Sequence, residues 1–254
     1  MPARRPGDAI GLDPKMREEF IRLLGHRAVP DLEWLRRVTQ RDVPSIRAIV
    51  DETQDLAITE RSIHRTLEGT RRTYYAQFPA PLDLYVITRL VRPRDVVESG
   101  VSSGLSSAHI LAALQKNGRG RLHSIDLPAF QRGVDRRKGE LSWSIPPGKR
   151  SGWAVPKGVT GDWDLRLGRS EDLLPQLLAE IPEVDLFCHD SPWTAAHLAF
   201  EFEAVQPKLR PGSIVVADNS NVNPAAARRL AAAFSTRVCH RGNPRSSLIG
   251  IHIP

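Results

Sequence analysis

The chain has 254 residues, enough for one α/β domain plus a helical extension with a sizeable core. Hydrophobic residues make up 41% and charged residues 26%, an ordinary balance for a soluble globular protein, and there is no run of 18 apolar residues to span a membrane. The formal net charge of +7 permits a polyanionic partner such as RNA, but the arginines are scattered along the chain rather than gathered in one block.

The N-terminus, Met-Pro-Ala-Arg-Arg-Pro-Gly-Asp, is basic with no apolar region after it, so no signal peptide is expected. Two cysteines, Cys188 and Cys239, make neither a disulfide framework nor a metal cluster, and Cys188 reads as a small core residue. The expected compartment is the cytoplasm.

From Pro14 to about Gln77 apolar residues recur at three- and four-residue spacing (Phe20, Leu23, Leu24; Leu32, Leu35; Ile46, Ile49, Val50; Ile63, Leu67), which predicts helices. Residues 1–77 are therefore taken as a helical extension and 78–254 as the main domain. A helix over Leu82–Val91 follows Pro79 and Pro81. Strand and helix then alternate. Strands are predicted at Asp95–Glu98, Leu122–Ile125, Leu165–Leu167, Val184–Cys188 and Ser213–Ala217, with helices at Ser107–Gln115, Leu173–Ile181, Ala195–Val205 and Pro224–Phe234. Two late strands, Thr236–His240 and Ser247–Ile253, suggest an antiparallel edge. The fold class is α/β: a doubly wound, mostly parallel Rossmann-like sheet.

One strand–loop–helix–strand unit stands out. A short apolar run ends in Glu98, enters a loop with Gly100, Ser102 and Gly104, and leads into an apolar helix. The next strand ends in Asp126, 22 residues beyond Gly104. Glycines let a backbone approach a ligand that a Cβ would hold off. The following helix start offers N–H groups to an anion. A carboxylate at Asp126 can accept both hydroxyls of a ribose. The bland alternative is a tight strand-to-helix turn without ligand.

The loop reads Glu-x-Gly-x-x-x-Gly-x-Ser and lacks the close glycine pair of a dinucleotide site. It resembles motif I of the class I S-adenosylmethionine-dependent methyltransferases, and the resemblance covers roughly Phe78 to Pro254. It implies that Gly100, Ser102 and Gly104 lie along the methionine part of the cofactor, that Ser106 holds its carboxylate, and that Glu98 lies near its amino group. The segment Leu167–Leu177 resembles the adenine-side loop of catechol-type O-methyltransferases, which implies adenine contacts for Ser170 and Glu171. Ser170 equally reads as a helix cap with acidic residues in the first turn.

The fourth strand ends at Asp190 and the fifth at Asp218-Asn219. Ligands of a doubly wound sheet sit beyond these strand ends. The metal-dependent catechol-type enzymes carry Asp, then Asp-Asn, at these positions. The resemblance implies that Asp190, Asp218 and Asn219 hold Mg²⁺, with Asp190 also near the cofactor. The alternative is that Asp218 and Asn219 cap the next helix. The chain departs from the pattern at the base. Catechol enzymes place Lys three residues after the strand-four Asp, and related bacterial sugar and natural-product enzymes often place His, where this chain has Trp193. His197, one turn on, and His189 are the candidate bases. The Phe200–Glu203 helix resembles a bacterial branch of the same superfamily.

Residues 129–163 form a long Pro-, Gly- and Trp-rich connection with seven basic residues from Arg132 to Lys157. It reads as a lid, or as a loop pinned by Trp143, Trp153 and Trp163. Three functions compete: O-methylation of a small-molecule or glycan-type hydroxyl, amino-group methylation of nucleic acid suggested by Asp190-Ser-Pro-Trp193, and cofactor binding without catalysis. No membrane partner is expected. The N-terminal helices are expected to cover the pocket mouth or to form a homodimer contact.

Overall fold

The computed structural model describes residues 30–53, 78–127, 145, 148–159, 161–192, 194–243 and 246–254. The expectations placed on Phe20, Leu23, Leu24, Ile63, Leu67, Trp143 and Trp193 lie outside the described residues. In chain order the elements are α1 (Leu32–Thr39), α2 (Val43–Glu52), α3 (Pro81–Val91), β1 (Asp95–Ser99), α4 (Leu105–Asn117), β2 (Arg121–Asp126), β3 (Asp162–Leu167), α5 (Ser170–Glu180), β4 (Leu186–His189), α6 (Ala195–Val205), β5 (Ile214–Ala217), α7 (Pro224–Ala233), β6 (Val238–His240) and β7 (Ile249–His252).

The strands form one sheet in the order β3-β2-β1-β4-β5-β7-β6. β1 to β5 pair in parallel, and β7 runs antiparallel between β5 and β6. This is the expected mostly parallel sheet with an antiparallel C-terminal edge. The order reverses between β1 and β4, the place where open α/β sheets leave a ligand crevice at the carboxyl ends of the strands.

Alternation along each strand divides the core. Val96, Leu122, Leu186, Cys188 and Val216 face one side with α1, α3 and α4. Val97, Phe187, Val215 and Ile251 face the other with α5, α6 and α7. α4 is buried along almost its whole length, so its apolar residues show little one-sided pattern. Cys188 is fully buried as expected, and burial pushes its thiol pKa up.

The described part of the N-terminal extension is built into this core. Trp34, Leu35, Val38 and Ile46 are fully buried in the same cluster as the sheet. A Cβ on Gly250 of β7 would meet Val38 at 2.4 Å, so glycine there lets α1 lie close on the sheet. Trp34 Nε1–H donates to the Cys239 carbonyl at 2.8 Å and so covers the edge strand β6.

Two element boundaries differ from expectation in ways that matter for the site. β3 begins at Asp162, so Trp163 belongs to the strand rather than to the long connection. Its Nε1–H donates to Ser124 Oγ on β2. α5 begins at Ser170 itself, with Arg169 as the N-cap, so Ser170 is the first helical residue and not the cap.

Candidate active site

The glycine loop joins β1 to α4. Gly100 (φ +92°) and Gly104 (φ +88°) are left-handed, a conformation that strains any residue with a Cβ. A Cβ on Gly100 would stand 2.0 Å from the Asp190 carbonyl oxygen. On Gly104 it would stand 2.6 Å from Val155 Cγ2. Both glycines are thus required by close packing of the protein on itself, before any ligand is considered. No side chain caps the start of α4.

Asp126 closes β2 and faces this loop. Its Oδ1 accepts from the backbone N–H of Val101 (2.9 Å) and Ser102 (3.2 Å), and its Oδ2 accepts from Ser151 Oγ. Ser151 introduces the segment 151–155, which lies along the loop: Gly152 N–H donates to the Ser102 carbonyl and Ala154 N–H to the Ser103 carbonyl. The described end of the long connection is therefore docked against the glycine loop. Gly152 is necessary there, since a Cβ would stand 2.3 Å from the Trp163 ring. Gly152 opens the Gly-Trp-Ala-Val-Pro segment that resembles a bacterial branch of the superfamily, whereas nothing in the sequence marks Ser151, because its contact depends on where a long loop returns.

Glu98 is fully buried. Its carboxylate accepts from the hydroxyls of Ser106 (2.5 Å), Ser107 (2.7 Å) and Ser124 (2.7 Å). Burial raises its pKa, the three hydroxyls oppose that, and the net direction is upward. The expectation that Ser106 holds the cofactor carboxylate while Glu98 reaches its amino group meets a different arrangement. The two side chains are bonded to each other beneath the loop, because a buried carboxylate demands donors and the first turn of α4 supplies them.

Asp190 and Asp218 follow the paired ends of β4 and β5, where His189 lies beside Ala217. The Asp218 N–H donates to the His189 carbonyl at 3.0 Å, which fixes the two acids side by side. Asp218 Oδ1 accepts from Ser247 Oγ (2.8 Å), and Asn219 Nδ2 approaches Asp218 Oδ2 at 3.4 Å. Asn219 is left-handed and caps a short 3₁₀ turn, Ser220–Val222; the cap of α7 is Asn223. Neither Asp218 nor Asn219 therefore caps α7. Burial and the nearby carboxylates Asp218, Glu98 and Asp126 push the Asp190 pKa well up. Among the described residues no group of three or more His, Cys, Asp or Glu is placed to hold a metal ion.

The two candidate bases are drawn inward. His189 and His197 both turn to Glu201 of α6, a residue the sequence reading did not single out. His189 Nδ1 lies 2.7 Å from Glu201 Oε2, and His197 Nε2 lies 2.8 Å from Oε1. Ser99 and Ser191 also donate to Oε1. His197 Nε2 is 3.0 Å from Ser170 Oγ, and its Nδ1 is 3.4 Å from Glu171, which also pairs with Arg169. Ser170 and Glu171 therefore meet His197 at the start of α5. The i, i+4 spacing of His197 and Glu201 on one helix was the available signal.

This sheet order, with the glycine loop after β1 and acids at the ends of β2, β4 and β5, is the arrangement that the resemblance to class I S-adenosylmethionine-dependent methyltransferases implies. Residues 97–220 match the model of a family described as a methyltransferase domain. No curated protein sequence matches the chain. Cofactor-bound Rv0187 from MTB superposes with a TM-score of 0.52 at 16% identity, covering 80% of this chain and 95% of that one, a likeness of fold. The calicheamicin methyltransferase CalS11 matches at TM-score 0.48 and 17% identity over 99% of this chain and 98% of that one. The O-methyltransferase TomG from Streptomyces achromogenes, solved with S-adenosylmethionine, matches at TM-score 0.47 and 17% identity over 88% and 96%. Among the described residues no helix is long and apolar enough to cross a membrane.

Proposed function

We propose that the protein transfers the methyl group of S-adenosylmethionine to a hydroxyl of a small-molecule or glycan-type acceptor. One observation carries this reading. Asp126, Asp190 and Asp218 gather at the carboxyl ends of β2, β4 and β5, with the buried Glu98 close enough to join the other two in raising the Asp190 pKa, and none of the four forms an ion pair with Lys or Arg among the described residues. A crevice with this charge is complementary to a cationic ligand, and the sulfonium and ammonium of the cofactor supply that charge. The same rim repels a phosphate backbone, which disfavours the nucleic-acid reading. Ser191, part of the Asp190-Ser-Pro segment that suggested it, turns its hydroxyl inward to Glu201.

Bound S-adenosylmethionine brings a methyl group already activated for in-line displacement. The chain's part is to place and desolvate the acceptor. Asp126 offers the ribose the accepting capacity left by the two loop amides. Ser170 and Glu171 flank the adenine side. The acceptor proton must leave. It can pass to His189 Nε2 with Nδ1 still on Glu201, whereas His197 Nε2 is itself engaged by Glu201 and Ser170. Asp190, its pKa pushed well up by burial and the neighbouring carboxylates, is a further candidate base at the strand ends. Asp190, Asp218 and Asn219 also suit Mg²⁺ chemically: they are short oxygen side chains at neighbouring strand ends with no basic residue paired to them among the described residues. Such an ion would lower the pKa of the acceptor hydroxyl.

The test is calorimetry with S-adenosylhomocysteine, followed by methyl release from labelled S-adenosylmethionine onto a panel of hydroxyl acceptors with and without chelator. The wild type should bind. Asp126→Ala should bind roughly 10–100-fold more weakly, the equivalent of losing charge-assisted hydrogen bonds. Chelator should silence turnover and Mg²⁺ restore it. Absent binding, or tight binding of NAD instead, overturns the reading. An undiminished rate in chelator removes the metal and leaves the methyl transfer.

A further inference from the structure

A second recess lies between α7 and the edge strand β6, and it reaches Ser220 and Asn221 just beyond the end of β5. It is a cleft of about 560 Å³, within the range of small-molecule sites. Ala227, Ala231, Val238 and Ile249 form its apolar lining. The alanines make room: larger side chains on that face of α7 would fill the space against β6.

The polar lining has one sign. Arg228 and Arg237 both contribute, and among the described residues no Asp or Glu lines the cleft. Neither arginine has an acidic partner among the described residues. The contrast with the neighbouring Arg229 is direct, since Arg229 does not line the cleft and approaches Glu203 of α6 at 3.9 Å. At one end stands His240, whose Nδ1–H donates to the Ser246 carbonyl at 3.1 Å. That bond fixes the tautomer and leaves Nε2 for a ligand. An added β-strand does not fit here. The Cys239 and His240 carbonyls of the edge already accept from Trp34 and Arg37 of α1.

We propose that this cleft binds an organic anion, a carboxylate or phosphate carried on a compact apolar body, with Arg228 and Arg237 taking the oxyanion and the alanine-lined floor taking the body. The inference does not depend on the methyltransferase reading, because none of the residues assigned to the cofactor, the metal or the base lines the cleft. A route to the crevice nevertheless exists. The Ser247 carbonyl accepts from the backbone and hydroxyl of Ser220, which lines the cleft, and Ser247 Oγ donates to Asp218.

The experiment titrates the full-length protein with phenyl phosphate, benzoate, inorganic phosphate and benzyl alcohol, observed by backbone amide NMR. Phenyl phosphate or benzoate should give saturable shifts at Asn221, Ala227, Val238 and Ile249, and whichever binds tighter identifies the head group. Benzyl alcohol and inorganic phosphate should bind at least about 10-fold more weakly, since each lacks half of the recognised chemistry. Arg228→Ala with Arg237→Ala should weaken the organic anion by a similar factor, while Arg229→Ala should leave it unchanged. All three are exposed positions and the variants should fold. Equal binding of benzyl alcohol, equal binding of inorganic phosphate, shifts located elsewhere, or an unaffected double variant would each overturn the proposal.

Discussion

His189 Nδ1 and Glu201 Oε2 lie 2.7 Å apart, with His189 1% exposed and Glu201 fully buried. This contact joins the end of β4 to α6, and through Ser99 and His197 the same carboxylate reaches β1 and the start of α5. Burial by itself raises the Glu201 pKa, but the charge and hydrogen bonds of His189 and His197 reverse this and hold it far below the usual carboxylate range. Burial depresses the His197 pKa, and Glu201 and Glu171 more than restore it.

Glu201→Gln should therefore cost about 3 kcal/mol of stability, since it removes the charge from a buried, fully engaged pair. The pH dependence follows from both partners. The Glu201 contribution is present above the unfolded value of about 4.3 and is lost as pH falls toward the lower folded value. The His197 contribution is complete below its unfolded value of about 6.5 and is lost as pH rises through the higher folded value. Urea denaturation of wild type and variant should thus differ most between about pH 4.5 and 6.5. A stability difference that stays flat across pH would show that the pair is not ionised.

Gly100→Ala places a methyl 2.0 Å from the Asp190 carbonyl at a position with φ +92°. Backbone on both sides must move. We expect a loss of roughly 2–4 kcal/mol, from a left-handed Cβ plus overpacking. Binding of S-adenosylhomocysteine should fall with it, because the loop and the Asp190 turn shift together. A variant with wild-type melting temperature and affinity would contradict the packing described.

Asp190→Asn should behave in the opposite direction in the ligand-free protein. Burial and three neighbouring carboxylates raise the Asp190 pKa. The folded state then holds its proton more tightly than the unfolded chain, so stability declines as pH rises from about 3.9 through the folded value. The asparagine removes that decline. At neutral pH the variant should melt higher than wild type, and the two should converge near about pH 4. Turnover should be lost at the same time. Thermal scans across pH check the first part, and lower stability of the variant at neutral pH would refute it.

By itself the sequence determined the alternating α/β architecture, the antiparallel edge, and the places of the loop glycines and strand-end acids. Strand alternation, a glycine loop and carboxylates at apolar run ends are local patterns, and a doubly wound sheet converts position along the chain into position in the crevice. It also marked Cys188 as core. Only the tertiary structure decided which polar groups face each other. Ser106 turned to Glu98, and His189 and His197 turned to Glu201, because a buried charge takes the donors nearest in space regardless of their separation in sequence. The same holds for Ser151 on Asp126, where a long connection returns to the loop. It holds too for Trp34, whose burial against Gly250 made the described N-terminal helices part of the core. Contacts of this kind depend on packing between distant segments, and local periodicity carries no information about them.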